Sequence, residues 1–170
     1  RYINYPAHSE MARIFGKKRL MIPLALPTLA ALTPGHYRIR IIDEEIEPLP
    51  QEMPDLVGIT TLAATADRAW ELGDRYRSQG IPVVFGGPYA SFAIEQCLPH
   101  CDSIVVGEAE GKWEECLADF EQGRMKPVYT SNYITPYKTQ KPPRWDLVNM
   151  NKIFQVGLQA SRGCPFNCDF

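Results

Sequence analysis

The chain has 170 residues, 45% of them hydrophobic, enough to bury one sizeable core but not two full domains. Its 18 Lys and Arg nearly balance 20 Asp and Glu, and the net charge of -2 carries no basic stripe to counter a phosphate backbone, so nucleic acid is not an expected partner. No apolar run approaches the roughly 20 residues that span a bilayer, and Arg1 opens without the charged, apolar and small-residue series of a signal peptide, so a cytoplasmic protein is expected. In chain order, residues 1–4 read as the end of a first strand, and residues 23–32 carry apolar side chains at helical spacing up to Thr33-Pro34-Gly35. Residues 37–43 alternate as a strand ending in Ile41-Ile42-Asp43. Residues 55–61, 82–87 and 103–108 are three further runs of Val, Ile and Phe, each closing on small or polar residues. Helices are expected over 66–78, 89–97 and 112–122; the first gathers Ala66, Ala69, Trp70, Leu72, Gly73 and Tyr76 on one side, the last Trp113, Cys116, Leu117 and Phe120. Strands alternating with helices predict an α/β fold, a doubly wound and mostly parallel sheet of five strands with helices on both faces.

From residue 127 the texture changes. Pro127, Pro136, Pro142 and Pro143 interrupt a stretch of Tyr, Thr, Asn and Lys that follows neither period. The expected organisation is a sheet domain over 1–126, a Pro-rich linker over 127–152, and the start of another domain over 153–170, where 153–160 reads as a strand leading into Ser161-Arg162-Gly163-Cys164. Two of the five cysteines, Cys164 and Cys168, sit at a ligand-like spacing, which suits a reducing compartment better than a disulfide framework.

The segment S-R-G-C-P-F-N-C-D-F at 161–170 resembles the first strand and cluster loop of radical S-adenosylmethionine enzymes, whose motif is CxxxCxxC. The resemblance implies that Cys164 and Cys168 are two of three thiolates holding a 4Fe-4S cluster, with the third falling just past Phe170, so that cluster and S-adenosylmethionine are expected of a longer parent only. Upstream, the remaining chain is similar to the cobalamin-binding domain that precedes the radical module in one subset of that family. The matching pieces are Gly-Lys-Lys-x4-Pro-Leu at 16–24, Ile-Ile-Asp at 41–43, Gly-Ile-Thr-Thr at 58–61, Gly-Gly-Pro-Tyr-Ala-Ser at 86–91, Val-Gly-Glu-Ala-Glu at 106–110 and Pro-Arg-Trp-Asp-Leu at 143–147. The likeness implies a flavodoxin-like, Rossmann-like domain over 1–126 that holds the corrin at its strand ends, with the nucleotide tail beside the sheet. It further implies cobalamin contacts from Thr60, Thr61, Leu62, Gly86, Gly87, Pro88, Tyr89, Ser91, Gly107, Glu108 and Glu110, and a radical domain of the same parent as partner.

These loops suit that role physically. Gly86 and Gly87 remove side chains where backbone amides can approach a phosphate or ribose, and Thr60, Thr61 and Ser91 offer short hydroxyls at strand ends. Glu108 or Glu110 can accept from the corrin's amide side chains. Blander readings stand beside them. Glycine pairs follow strands in every doubly wound sheet, Glu110 suits a helix N-terminus, and Asp43 can simply start a turn. Cys97-x2-His100-Cys101 lacks a fourth partner nearby and reads as packing, as do Cys116, Trp70 and Trp113, the tryptophans being core anchors and not stacking platforms. One class of cobalamin proteins supplies a histidine to cobalt from DxHxxG; around His8 the matching positions are Pro6 and Met11, so no such ligand is expected.

The function expected of the parent is methylation, or another modification, of an unactivated carbon. No catalytic residue is expected within these 170 residues, and the chain alone should not turn over. The rival is a doubly wound domain that has lost the ligand and serves as a docking or interaction module.

Overall fold

The computed structural model describes residues 6–131, 141–162 and 166. The main sheet has four parallel strands in the order β2 (Val57–Thr60), β3 (Val83–Gly86), β4 (Ser103–Val106), β5 (Val128–Thr130). A separate two-stranded parallel sheet pairs β1 (Arg19–Ile22) with β6 (Ile153–Val156). The helices are α1 (Pro6–Ile14), α2 (Ala25–Leu32), α3 (Ala66–Arg77), α4 (Pro88–Phe92), α5 (Ile94–Cys97) and α6 (Lys112–Glu121). None of the helices is long and apolar enough to cross a membrane among the described residues.

Strand side chains alternate between two buried faces, which is why the strands read as nearly continuous apolar runs. Val83, Phe85 and Ile104 meet Ala69, Leu72 and Tyr76 of α3, Ala90 of α4 and Cys97 of α5. On the opposite face Val84, Val105 and Tyr129 meet Leu32 of α2 and Trp113, Cys116 and Leu117 of α6. Helices on both faces of a parallel sheet make the α/β fold doubly wound, as its sequence pattern predicts. Helix ends are locally encoded: α3 has Asp67 in its first turn and Arg75 and Arg77 in its last, complementing the dipole. The α6 start is held by Glu114, whose carboxylate accepts the Gly111 N–H at 2.9 Å.

The structure corrects several limits. Residues 37–43 form no strand: Tyr37 packs beside the Leu32 and Trp113 cluster, and Ile41 against Ile22, Ile46, Val148 and Ile153. Asp43 instead makes a turn, accepting the Glu45 N–H at 3.0 Å and pairing with Arg19 at 3.1 Å, while Arg19 also reaches Glu45. The strand expected at 1–4 lies outside the described residues, so three of the five expected strands stand in the main sheet, which has four strands among the described residues. Val128–Thr130, read as linker from its prolines, is the fourth of them. Its Tyr129 hydroxyl donates to buried Asp119 of α6 at 2.9 Å and accepts the Lys126 N–H at 2.9 Å. The helix expected over 89–97 breaks at Ala93 into α4 and α5, and the strand over 153–160 ends at Val156. Neither α1 nor β1 is signalled by the sequence pattern.

Candidate functional site

A pocket of about 300 Å³ opens over the C-terminal ends of β2, β3 and β4, on the face covered by α2 and α6. Ligands of open α/β sheets sit outside these strand ends. Its sheet side is formed by Gly58, Thr60, Val84, Gly86, Val105 and Gly107. Leu24, Ala25, Thr28 and Leu29 make one wall, Trp113 another, and Glu108, Ala109 and Glu110 edge it from the loop between β4 and α6. The space exists because glycine replaces the expected β-branched residue at two strand positions. A Cβ at Gly86 would find only the Val105 carbonyl oxygen, at 3.8 Å, and one at Gly58 only the Trp113 ring, also at 3.8 Å.

Of the residues expected to hold cobalamin, Thr60, Gly86, Gly87, Gly107, Glu108 and Glu110 line this pocket. The other five are engaged around it. Thr61 is fully buried; its hydroxyl donates to the Gly86 carbonyl at 2.8 Å and accepts the Ala90 N–H at 2.9 Å, fastening the end of β2 to the start of α4. Ser91 accepts the Gly107 N–H at 3.0 Å, the Tyr89 hydroxyl donates to Gln96 at 2.7 Å, and Pro88 opens α4 at a position that needs no N–H. Leu62 donates its N–H to Thr65 at 3.2 Å. Gly87 is demanded by its own backbone: φ is 92°, and a Cβ would lie 2.8 Å from both the Thr60 hydroxyl and the Thr61 carbonyl oxygen.

Both acidic residues at the pocket edge are engaged by the tail. One Arg162 amine lies 3.0 Å from Glu108 and the other 2.7 Å from Glu110. Glu110 first, with Glu108 adding to it, raises the guanidinium's proton affinity above its ordinary value. Glu110, read by sequence both as a corrin contact and as a helix-start carboxylate, pairs with a residue 52 positions away in the numbering. Arg162 and Gln159 supply pocket lining that sequence reasoning missed, as it missed the α2 wall and Gly58. Two signals were available for Gly58, a glycine inside a strand pattern and its place at the head of the matching piece Gly-Ile-Thr-Thr at 58–61. Trp113 is both core and pocket wall: it is buried, its indole N–H donates to Thr33 at 2.8 Å, and its ring edge closes the floor.

Cys164 and Cys168 lie outside the described residues, as does the side chain of His8. Among the described residues no three His, Cys, Asp or Glu side chains gather as a metal site. Cys97 and Cys101 are buried free thiols; Cys101 donates to the Cys97 carbonyl at 3.3 Å, and burial pushes its pKa up to about 12. His100 stacks on Trp70 with ring centroids 5.0 Å apart and faces Asp74 at 2.9 Å.

No family model matches the sequence. The chain is 35% identical to bacteriochlorophyllide d C-8(2)-methyltransferase of Chlorobaculum tepidum over 86% of its own length and 35% of that protein. It is 30% identical to bacteriochlorophyllide d C-12(1)-methyltransferase of the same organism, over 95% of this chain and 37% of that one. Hopanoid C-2 methylase of Rhodopseudomonas palustris is 24% identical over 98% of this chain and 32% of the relative. The chain therefore spans about a third of the length of these curated relatives, and its kinship is with methyltransferases. Among solved structures it resembles the N-terminal domain of a hypothetical protein of Thermotoga maritima, at a TM-score of 0.43 and 24% identity over 56% of this chain and 77% of that one, too loose a likeness to carry an argument.

Proposed function

We propose that this chain is the cobalamin-binding portion of a radical S-adenosylmethionine methyltransferase that acts on an unactivated carbon. The observation that carries the reading is the glycine-floored pocket at the strand ends, in a chain whose relatives are methyltransferases each named for a single carbon position. The lining suits the cofactor's nucleotide tail, the part of it that a pocket of about 300 Å³ would take. Gly58 and Gly86 leave a cradle that any side chain would fill, Trp113, Leu29 and Val84 make it apolar, and Thr28, Thr60 and the carboxylates at its edge give polar partners. Gly58, Gly86 and Trp113 would lie along the nucleotide tail; Thr60, Gly107 and Glu108, at the strand ends, would face the corrin.

When bound, cobalamin supplies a transferable methyl group, and the cluster with S-adenosylmethionine supplies a radical able to take hydrogen from carbon. The protein holds, orients and dries the site. Cys164 and Cys168 belong to this proposal as two thiolate ligands of the cluster, with 153–170 as the start of the radical domain, 127–152 as the connection, and 1–126 as the cobalamin domain. The test is titration of hydroxocobalamin into the pure chain, following the corrin spectrum and the thermal midpoint. Ligand that binds only the folded state at about 100 times its Kd adds roughly 2.7 kcal/mol, so the midpoint must rise with the spectral change. An unmoved midpoint with an unchanged spectrum would return the chain to the docking-module reading.

A further inference from the structure

We propose that Arg162 is the positioning residue that couples the tail to the pocket, by bridging the two carboxylates that edge it. This rests on the reading of the pocket given above and adds a residue to it. The ladder of β6 against β1 ends where Ile22 faces Val156. Beyond it the chain is reattached to the main sheet by the Arg162 guanidinium, one amine on Glu108 at 3.0 Å and the other on Glu110 at 2.7 Å. All three side chains are largely shielded, at 17%, 21% and 10% exposure, so the charges interact with little screening by water. Gln159 and Arg162 complete the pocket lining that the sheet and α2 begin. The wall therefore stands only while the bridge is closed, and whatever fills the pocket favours the docked tail. By reciprocity, the docked tail favours the occupant.

Two measurements test this. Trypsin cuts after Arg162 only when the segment is released. The variant Glu108→Gln with Glu110→Gln should be cut there about 10-fold faster or more than the parent chain, with cleavage after exposed Arg124 unchanged. Equal rates at Arg162 overturn the bridge, and because this arm needs no ligand it is decided even if the cobalamin reading fails. The second arm is hydroxocobalamin affinity. Arg162→Gln and the double Glu→Gln variant should each weaken binding by about 10-fold, Arg162→Lys should recover part of the loss, and the triple variant should be no worse than either parent variant. Additive losses, or full affinity in Arg162→Gln, would show that Arg162 does not act through the carboxylates.

Discussion

Adjacent glycines at the end of β3 should respond oppositely to a side chain. Gly86 has ordinary strand geometry, and its Cβ would have a single neighbour at 3.8 Å, so the β-carbon of Gly86→Val is sterically free and its methyls point the change at the pocket. Valine suits a strand, and relief of the glycine's backbone entropy makes the change neutral or stabilising by up to about 1 kcal/mol. Its isopropyl group, however, stands in the pocket of about 300 Å³. One methylene too many in an apolar pocket is worth about 1–3 kcal/mol, or 10- to 200-fold, so three added carbons should weaken hydroxocobalamin binding by at least about 100-fold. Gly87→Ala adds one carbon, at a φ of 92° and 2.8 Å from two oxygens, and should destabilise the fold by about 1–3 kcal/mol. Urea unfolding followed by circular dichroism gives the stabilities, and spectral titration gives the affinities. Gly86→Val binding like the parent would remove the pocket from the cofactor's path; Gly87→Ala as stable as the parent would refute the backbone argument.

Other outcomes follow from the same packing. Tyr129→Phe removes the hydroxyl between Asp119 and the Lys126 N–H, which should lower the urea midpoint at constant m by an amount equal to about 1–3 kcal/mol, and a change under 0.5 kcal/mol would mean that the ion pairs of Asp119 with Arg124 and Lys126 suffice. Burial first, with neighbouring charges, pushes the thiol of Cys101 up to about 12 and that of Cys116 up to about 11, so both should resist alkylation at pH 8 until denaturant is added. Because these folded values lie above the unfolded thiol value near 8.5, the unfolded chain loses its protons first. Stability from these groups is therefore complete below about pH 8 and should fall as pH rises toward 11, which alkaline melts will register; a flat profile over that range would contradict the burial.

Residues 55–61, 82–87 and 103–108 announced three strands because a strand buried on both faces must be apolar throughout, and that demand is local. Gly86 and Gly87 read alike in the sequence, as side chains removed beside a ligand; only the fold separates them, leaving space at Gly86 and demanding a φ of 92° at Gly87. What the chain's composition could not show is partnership across distance. Residues 37–43 alternate like a strand yet spend their apolar side chains on α2 and on the β1 and β6 cluster, because alternation states which residues want burial and not where an edge awaits them. Arg19–Ile22, opened by charge, becomes a strand only because Ile153–Val156 lies beside it. The pocket is the same case: Gly58, Leu29, Trp113 and Arg162 are far apart along the chain, and only the tertiary fold places them around one space.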